Sequence, residues 1–414
     1  MLVAQATSAT TQYRVLHAFG DGNDGAGLWA GVAVGAKGNL YGTTSGGGTY
    51  KGGTAFELMP SPHGSWTEAI LHNFNSGSQD GAGPFGGVIL DAAGNLYGTT
   101  ELGGGQYEYG TVFKLVPGPD GWTETILHRF GPHDKAGAPY AGVVIDGTGN
   151  LYGTAGAVFE LSPTASGWTE KTLHRFCSWS DCRDGDAPLA GVILDAAANV
   201  YGTTEDGGIP CGSSGCGVVY EIEHGPNGWH EKVLHYFDNN GKDGVGPGVG
   251  ALFMDSTGAL YGTTTGGGSH TCFANEGHAI STEPRVGRFP GNTIGNCGTV
   301  FKLTKAADGS WNEAVLYNFK GGSTGSGPGG GLVMDKSGNL YGTTIYGGAG
   351  GSGVVYKLAP ETKGKWRYTL LHTFTGADGA QPDANLILDG KGNLYGTTAT
   401  GGAYGGGVVF EITP

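Results

Sequence analysis

The heptapeptide GNLYGTT occurs four times unchanged, at residues 38–44, 94–100, 338–344 and 392–398, and looser copies begin at Gly149, Ala198 and Gly258. The Asn of each copy, or its equivalent, falls at positions 39, 95, 150, 199, 259, 339 and 393, so successive steps are 56, 55, 49, 60, 80 and 54 residues. Seven copies at a period near 50 restrict the chain to a propeller or a solenoid. Within the second period four short β-signals follow one another: GGVILD (86–91), NLYGTT (95–100), GTVFKL (110–115) and WTETILHRF (122–130). Each is rich in β-branched and aromatic residues, and no segment sustains a 3.6-residue apolar period. Four strands per repeat is the pattern of propeller blades.

The ends of the repeats decide between ring and solenoid. The first strand-like segment, TQYRVLHAF (11–19), has the sequence of a fourth strand, and the last, GVVFEITP (407–414), that of a third. The N-terminal segment can therefore complete the last blade and hide its edge. The expected fold is an all-β, seven-bladed propeller of four-stranded blades over residues 11–414, with an insertion at 265–297 in blade 5 and residues 1–10 as a residual signal or linker.

Glycine is abundant, 86 of 414 residues, but it clusters between apolar runs and so marks tight turns rather than disorder. The net charge of −14, with no basic run, argues against a nucleic-acid partner. No apolar stretch approaches the roughly 18 residues of a transmembrane span. Six cysteines fall as close pairs, and Cys177–Cys182, Cys211–Cys216 and Cys272–Cys297 read as disulfides of an oxidising compartment. The opening MLVAQA is similar to the end of a cleaved secretory signal. A secreted, extracellular or cell-surface location follows, and a monomer is expected.

Taken together, DxxGNLYGTT, GTVFKL and WTExxLHxF resemble the GloVer (Gloeobacter/Verrucomicrobium) tandem repeat of bacterial "choice-of-anchor" proteins, over essentially the whole chain. The resemblance implies export, often with attachment at the cell surface. It carries no activity that transfers to any residue.

A residue present in every blade is first a structural residue. His17, His72, His128, His174, His235 and His372 share the pattern L-H-x-F. On fourth strands about 20 Å from the axis, neighbouring copies would lie about 17 Å apart, too far to share an ion. Hydrogen-bonded histidines between blades are expected instead. Asp24, Asp80, Asp134, Asp184, Asp243 and Asp378 recur in the loops from outer to inner strand, where Asp-Gly forms turns. If those loops reach the channel mouth, the aspartates could share a cation, for which calcium is the candidate; no motif requires a cofactor.

Departures from the repeat point to function. Blade 3 has only Ala155-Gly156 between its second and third strands, a notch, whereas the blade 5 insertion carries His270, His278 and Arg285. Trp29, Phe85 and Tyr140 occupy equivalent loop positions in blades 1 to 3; Tyr50, Tyr107, Tyr109 and Trp179 stand in nearby loops. Aromatic platforms on an acidic surface suit neutral or cationic sugars. Glu101 and Glu205, placed at mid-radius, would be roughly 19 Å apart and unable to act as a glycosidase pair. Asp80, Asp134, Asp184 and Asp186, with His270, His278 or Arg285, are the candidates for catalysis. The expected function is binding of a polysaccharide or cell-surface glycan on this loop-rich face. A glycoside hydrolase or polysaccharide lyase, and a structural or protein-binding scaffold, are the alternatives, so the sequence leaves enzyme activity undecided.

Overall fold

In a computed structural model, residues 11–75, 79–106, 108–131, 138–178, 181–209, 211, 215–272 and 295–414 are described. They form a seven-bladed β-propeller of antiparallel four-stranded blades. Blade 1 runs outward through Ala33–Val34, Leu40–Thr44, Thr54–Pro60 and Trp66–Asn73. Blade 7 comprises Ile387–Leu388, Leu394–Thr398 and Val408–Thr413, and its fourth strand is the N-terminal Gln12–Ala18. The only helical pieces among the described residues are two 3₁₀ turns, Gly322–Thr324 and Thr362–Gly364.

The repeated heptapeptide is the second strand, and each of its letters has a separate task. In blade 2, Asn95 donates from Nδ2 to Asp91, and the Tyr97 hydroxyl donates to the same carboxylate, which also accepts the Ala93 and Asn95 amides. This Asx-type cap fixes the hairpin between first and second strands. Asp146, Asp195, Asp255, Asp335 and Asp389 repeat it. Leu96 is fully buried. Gly98 lies under the ring of Phe113 on the third strand; a Cβ there would come 2.6 Å from Phe113 Cζ. Thr99 donates to the Ala141 carbonyl of the next blade, and Thr100 pairs with Thr111 of its own.

Blades adhere through aromatic pairs. The Phe of each L-H-x-F packs on the third-strand ring of the following blade: Phe74 on Phe113, Phe130 on Phe159, Phe176 on Tyr220, Phe237 on Phe301, Phe319 on Tyr356 and Phe374 on Phe410. Phe19 on Phe56 closes the circuit from the last blade to the first. A bulge at the Leu of L-H-x-F shifts the register between third and fourth strands in every blade.

The innermost strands are shorter than their sequences suggest, only two residues each, as in Ile89–Leu90. The glycines before them abut the next blade backbone to backbone: a Cβ on Gly86 would lie 2.3 Å from the Gly142 nitrogen, and one on Gly31 2.4 Å from the Asn385 oxygen. Close approach around the axis takes the place of pairing.

Candidate functional site: an acidic and aromatic channel mouth

Two loop sets share one face of the ring. The outer-to-inner loop and the second-to-third loop of a blade are joined by short bridges, as at Ala26–Gly46, Asp186–Asp206, Ser326–Tyr346 and Ala380–Thr400. In blade 3 the second-to-third connection is the two-residue turn Ala155-Gly156, which preserves the notch. The three disulfides Cys177–Cys182, Cys211–Cys216 and Cys272–Cys297 are formed in loops of blades 3, 4 and 5. The Cys272–Cys297 bond closes a small hairpin, Thr271–Cys272 with Gly295–Asn296, at the root of the blade 5 insertion.

The aspartates lie elsewhere than the channel mouth. Asp80 Oδ2 lies 3.0 Å from His72 Nε2 on the outer strand, Asp243 lies 3.1 Å from His235, and Asp378 3.0 Å from His372. Asp24 and Asp184 stand 3.4 and 3.3 Å from His17 and His174. The repeat thus turns each aspartate outward to its own histidine, because that carboxylate also caps the start of its loop, as Asp80 does at the Asn75 amide. A shared ring of Asp24, Asp80, Asp184, Asp243 and Asp378 around one calcium is excluded by this placement. Asp134 lies outside the described residues.

Each pair is completed by the next blade. Glu68 approaches His17 at 3.8 Å, and Glu124 approaches His72 at 3.7 Å. Desolvation and the neighbouring Asp charge push Glu68, Glu231 and Glu313 up to about 7, and Glu124 rises for the same reasons. Glu, Asp and His together form an interblade clasp. Between blades 5 and 6 all three members are replaced together: Tyr317 stacks on Tyr368, whose hydroxyl donates to the Thr324 carbonyl. Between blades 6 and 7, Tyr13 takes the place of Glu, stacking on His372 and donating to the Asp378 carbonyl. The sets His17/Asp24/Glu68, His72/Asp80/Glu124 and His235/Asp243/Glu313 are compact enough to hold a metal ion singly. The last borders a polar cleft of about 580 Å³ on the outer rim, with Lys242 and Ser269.

The mouth itself carries a different set. The loop positions that precede the innermost strands carry Trp29, Phe85, Tyr140, Leu189, Gly248, Gly329 and Asp383, one per blade; Gly248 and Gly329 abut, as do Gly329 and Asp383. Trp29 and Phe85 have centroids 6.4 Å apart, and both, like Tyr140, are half-buried. Asp383 is the missed residue. It is 9% exposed, and its Oδ1 is buried without a hydrogen-bond partner. That oxygen lies where a Cβ on Gly329 would be, 1.8 Å away, so only glycine fits there. Burial first, and then the charge of Glu205, raise Asp383 to about 7. Glu205 belongs to blade 4 and Asp383 to blade 7, and the charge of the first reaches the second. Tyr346 is raised by burial first and then by the charge of Asp383. Glu101 is buried near Phe85, on the side of Gly83.

Farther out, Tyr50 is 57% exposed, Tyr109 39% and Tyr404 56%, in the second-to-third loops of blades 1, 2 and 7. Tyr404 was not singled out from the sequence, although GGAYGGG parallels the GGGTYKGG that holds Tyr50. Asp186 is exposed beside the Cys177–Cys182 loop and accepts the Ala187 amide. His270 sits at the root of the insertion, bonded to Ser269. Tyr107, Trp179, His278 and Arg285 lie outside the described residues.

Fold and loops together define a propeller with acidic and aromatic residues on its loop-rich face. The chain belongs to the Gloeobacter/Verrucomicrobia repeat family, whose model matches residues 2–209 and 285–414. Among solved structures it is similar to an ancestral GH74 enzyme, with 14% identity and a TM-score of 0.55 over 95% of this chain. The chain spans 48% of that enzyme's length. It is also similar to a candidate 6-phosphogluconolactonase from Bacteroides fragilis NCTC 9343, with 14% identity and a TM-score of 0.50, covering 86% of this chain and 87% of the other. At these identities the likeness is one of fold. No curated protein sequence matches. No helix among the described residues is long and apolar enough to cross a membrane.

Proposed function

We propose that the protein is exported and binds carbohydrate, as a polysaccharide or cell-surface glycan, across blades 7 to 3 of its loop-rich face. The observation that carries this reading is a set of aromatic side chains on the loops of the adjacent blades 7, 1 and 2: Tyr404, Tyr50 and Tyr109 stand exposed, and Trp29 and Phe85 pair in the inner loops of blades 1 and 2. Aromatic faces stack on the apolar faces of sugar rings, while nearby carboxyls accept hydroxyl hydrogen bonds. The three disulfides support a location outside the cytoplasm. A second reading, glycan cleavage on the same face, is favoured by Asp383, a carboxyl buried in the loop-rich face and raised to about 7 by burial and then by the charge of Glu205. A carboxyl raised in this way is what general-acid catalysis on a glycosidic bond requires. The GH74 likeness supports a glycan partner in general terms only.

The test is incubation with a panel of plant and microbial polysaccharides, followed by retention assays and mass spectrometry of the soluble fraction. Retention without products supports binding. New oligosaccharides would replace the binding reading with the enzymatic one, and failure to retain or cleave any glycan would reject both.

A further inference from the structure

Of the three compact sets of His, Asp and Glu, two are closed by a hydrogen bond and one stands open. His72 and Asp80 meet at 3.0 Å, and His235 and Asp243 at 3.1 Å. Where the last blade meets the first, His17 Nε2 instead lies 3.4 Å from Asp24 Oδ2 and 3.8 Å from Glu68 Oε2. That nitrogen and Glu68 Oε1 are buried and take part in no hydrogen bond among the described residues. Leaving such groups unpaired is costly. His174 also stands off from Asp184, at 3.3 Å, but there the carboxylate oxygen accepts the Ser178 hydroxyl and no compact set forms with Glu231. Two ligands of one tetrahedral zinc ion, each about 2.1 Å from it, lie roughly 3.4 Å apart. The spacing around His17 is thus too long for hydrogen bonds and suited to an ion between the three groups. Their mounting agrees. The His17 ring is held edge-on against Phe19, with centroids 4.5 Å apart. Asp24 Oδ1 accepts the Gly20 amide, which leaves Oδ2 turned toward His17, and the Asp24 carbonyl accepts the Thr54 hydroxyl.

Independently of the glycan reading, we propose that His17 Nε2, Asp24 and Glu68 bind a divalent ion of the zinc class. Two carboxylates and a neutral imidazole supply the charge that one such ion cancels. Calcium, which takes six to eight oxygen ligands, gains little from an imidazole, whereas zinc accepts nitrogen and oxygen in a four-coordinate shell with water in the remaining position. The side chains of His17, Asp24 and Glu68 are 24%, 11% and 14% exposed, so the site is open to the rim. His17 belongs to the N-terminal strand Gln12–Ala18, which completes blade 7, and Glu68 to Trp66–Asn73 of blade 1. The ion pins the closing strand against the first blade, in addition to its ladder with Val408–Thr413.

The experiment is calorimetric titration of the untagged, metal-free protein with zinc chloride, with calcium chloride as the comparison, followed by thermal melts. Zinc is expected to bind at least about tenfold more tightly than calcium. Glu68→Gln and His17→Gln should each remove one equivalent of zinc or weaken it by at least about tenfold. His235→Gln, at a clasp already closed by a hydrogen bond, should leave that equivalent in place. Saturating zinc should raise the melting temperature of the wild type by about 3 °C or more and that of Glu68→Gln by less than about 1 °C. Glu68→Gln, which keeps the shape of the side chain, carries the test if the His17 variant does not fold. Absence of zinc binding by the wild type would overturn the proposal, as would zinc binding unchanged in folded Glu68→Gln. Calcium bound as tightly as zinc would overturn the metal assignment, and a melting temperature unmoved by saturating zinc would overturn the pinning of the closing strand.

Discussion

Replacing Phe19 with alanine is expected to destabilise the ring by about 3–5 kcal/mol, the usual cost of emptying a large aromatic site in a core. Phe19 is fully buried, with its ring 4.8 Å from that of Phe56. It belongs to the N-terminal strand but joins the last blade to the first, so its loss weakens the one junction through which the ring closes. Leu16, Leu28, Leu40 and Val409 share the same cluster and would border the cavity. Total stabilities of folded domains are about 5–15 kcal/mol, so this single truncation removes a large part of the margin. Guanidinium unfolding followed by circular dichroism measures it. A change below about 1 kcal/mol would show that the N-terminal strand does not hold the ring shut.

A second large effect is expected on raising pH. Glu68, Glu231 and Glu313 are held near 7 by burial and by the neighbouring aspartates, and Glu124 is raised likewise. The unfolded chain ionises these groups near 4.3. A carboxyl whose folded value is raised favours the native state in its protonated form. Its contribution is complete below the unfolded value and is lost as pH climbs through the folded one. The melting temperature should therefore fall between about pH 4.5 and 8 and level off above, by on the order of 5 °C for four such groups after allowance for solvent screening. Changing all four to glutamine, which keeps the shape without the acid, should flatten the profile. Scanning calorimetry across pH 4–9, wild type against the four-Gln variant, decides it; identical profiles would mean that the four acids are not raised in the folded ring.

These two effects differ in how far they could be read from sequence. The closure was legible because TQYRVLHAF and WTETILHRF align residue for residue, which assigns Phe19 to a fourth strand. The tasks of Gly98 and its equivalents were only partly so: glycine announced a close approach, but not that the Phe113 ring lay over it. The clasps were legible only in part: hydrogen-bonded histidines between blades were expected, but not their Asp and Glu partners. His72 and Asp80 are eight residues apart, and their pairing depends on a bulge and on a loop that turns the carboxylate outward. Nothing in local spacing separates that turn from one aimed at the axis. Asp383 was hidden for another reason. Its position was recognised by the aromatic residues of blades 1 to 3, so an acid there read as a departure from the pattern. Its significance comes from Gly329 beneath it and Glu205 opposite, which are remote in sequence.

The proposed glycan binding rests on the aromatic side chains of the loop-rich face, and it can be tested without knowing whether the glycan is cut. The most direct measurement is the calorimetric affinity of the best-retained oligosaccharide for the wild type, Trp29→Ala and Tyr404→Ala. Ile209→Ala, which alters an apolar side chain 63% exposed in a blade 4 loop, is the control. Central aromatic anchors typically contribute 2 kcal/mol or more to an interface, so Trp29→Ala should weaken binding about thirtyfold. Tyr404→Ala should weaken it less, and Ile209→Ala should leave it within about twofold. Unchanged affinity in a correctly folded Trp29→Ala protein would contradict the account, because the glycan would then be held somewhere other than the mouth.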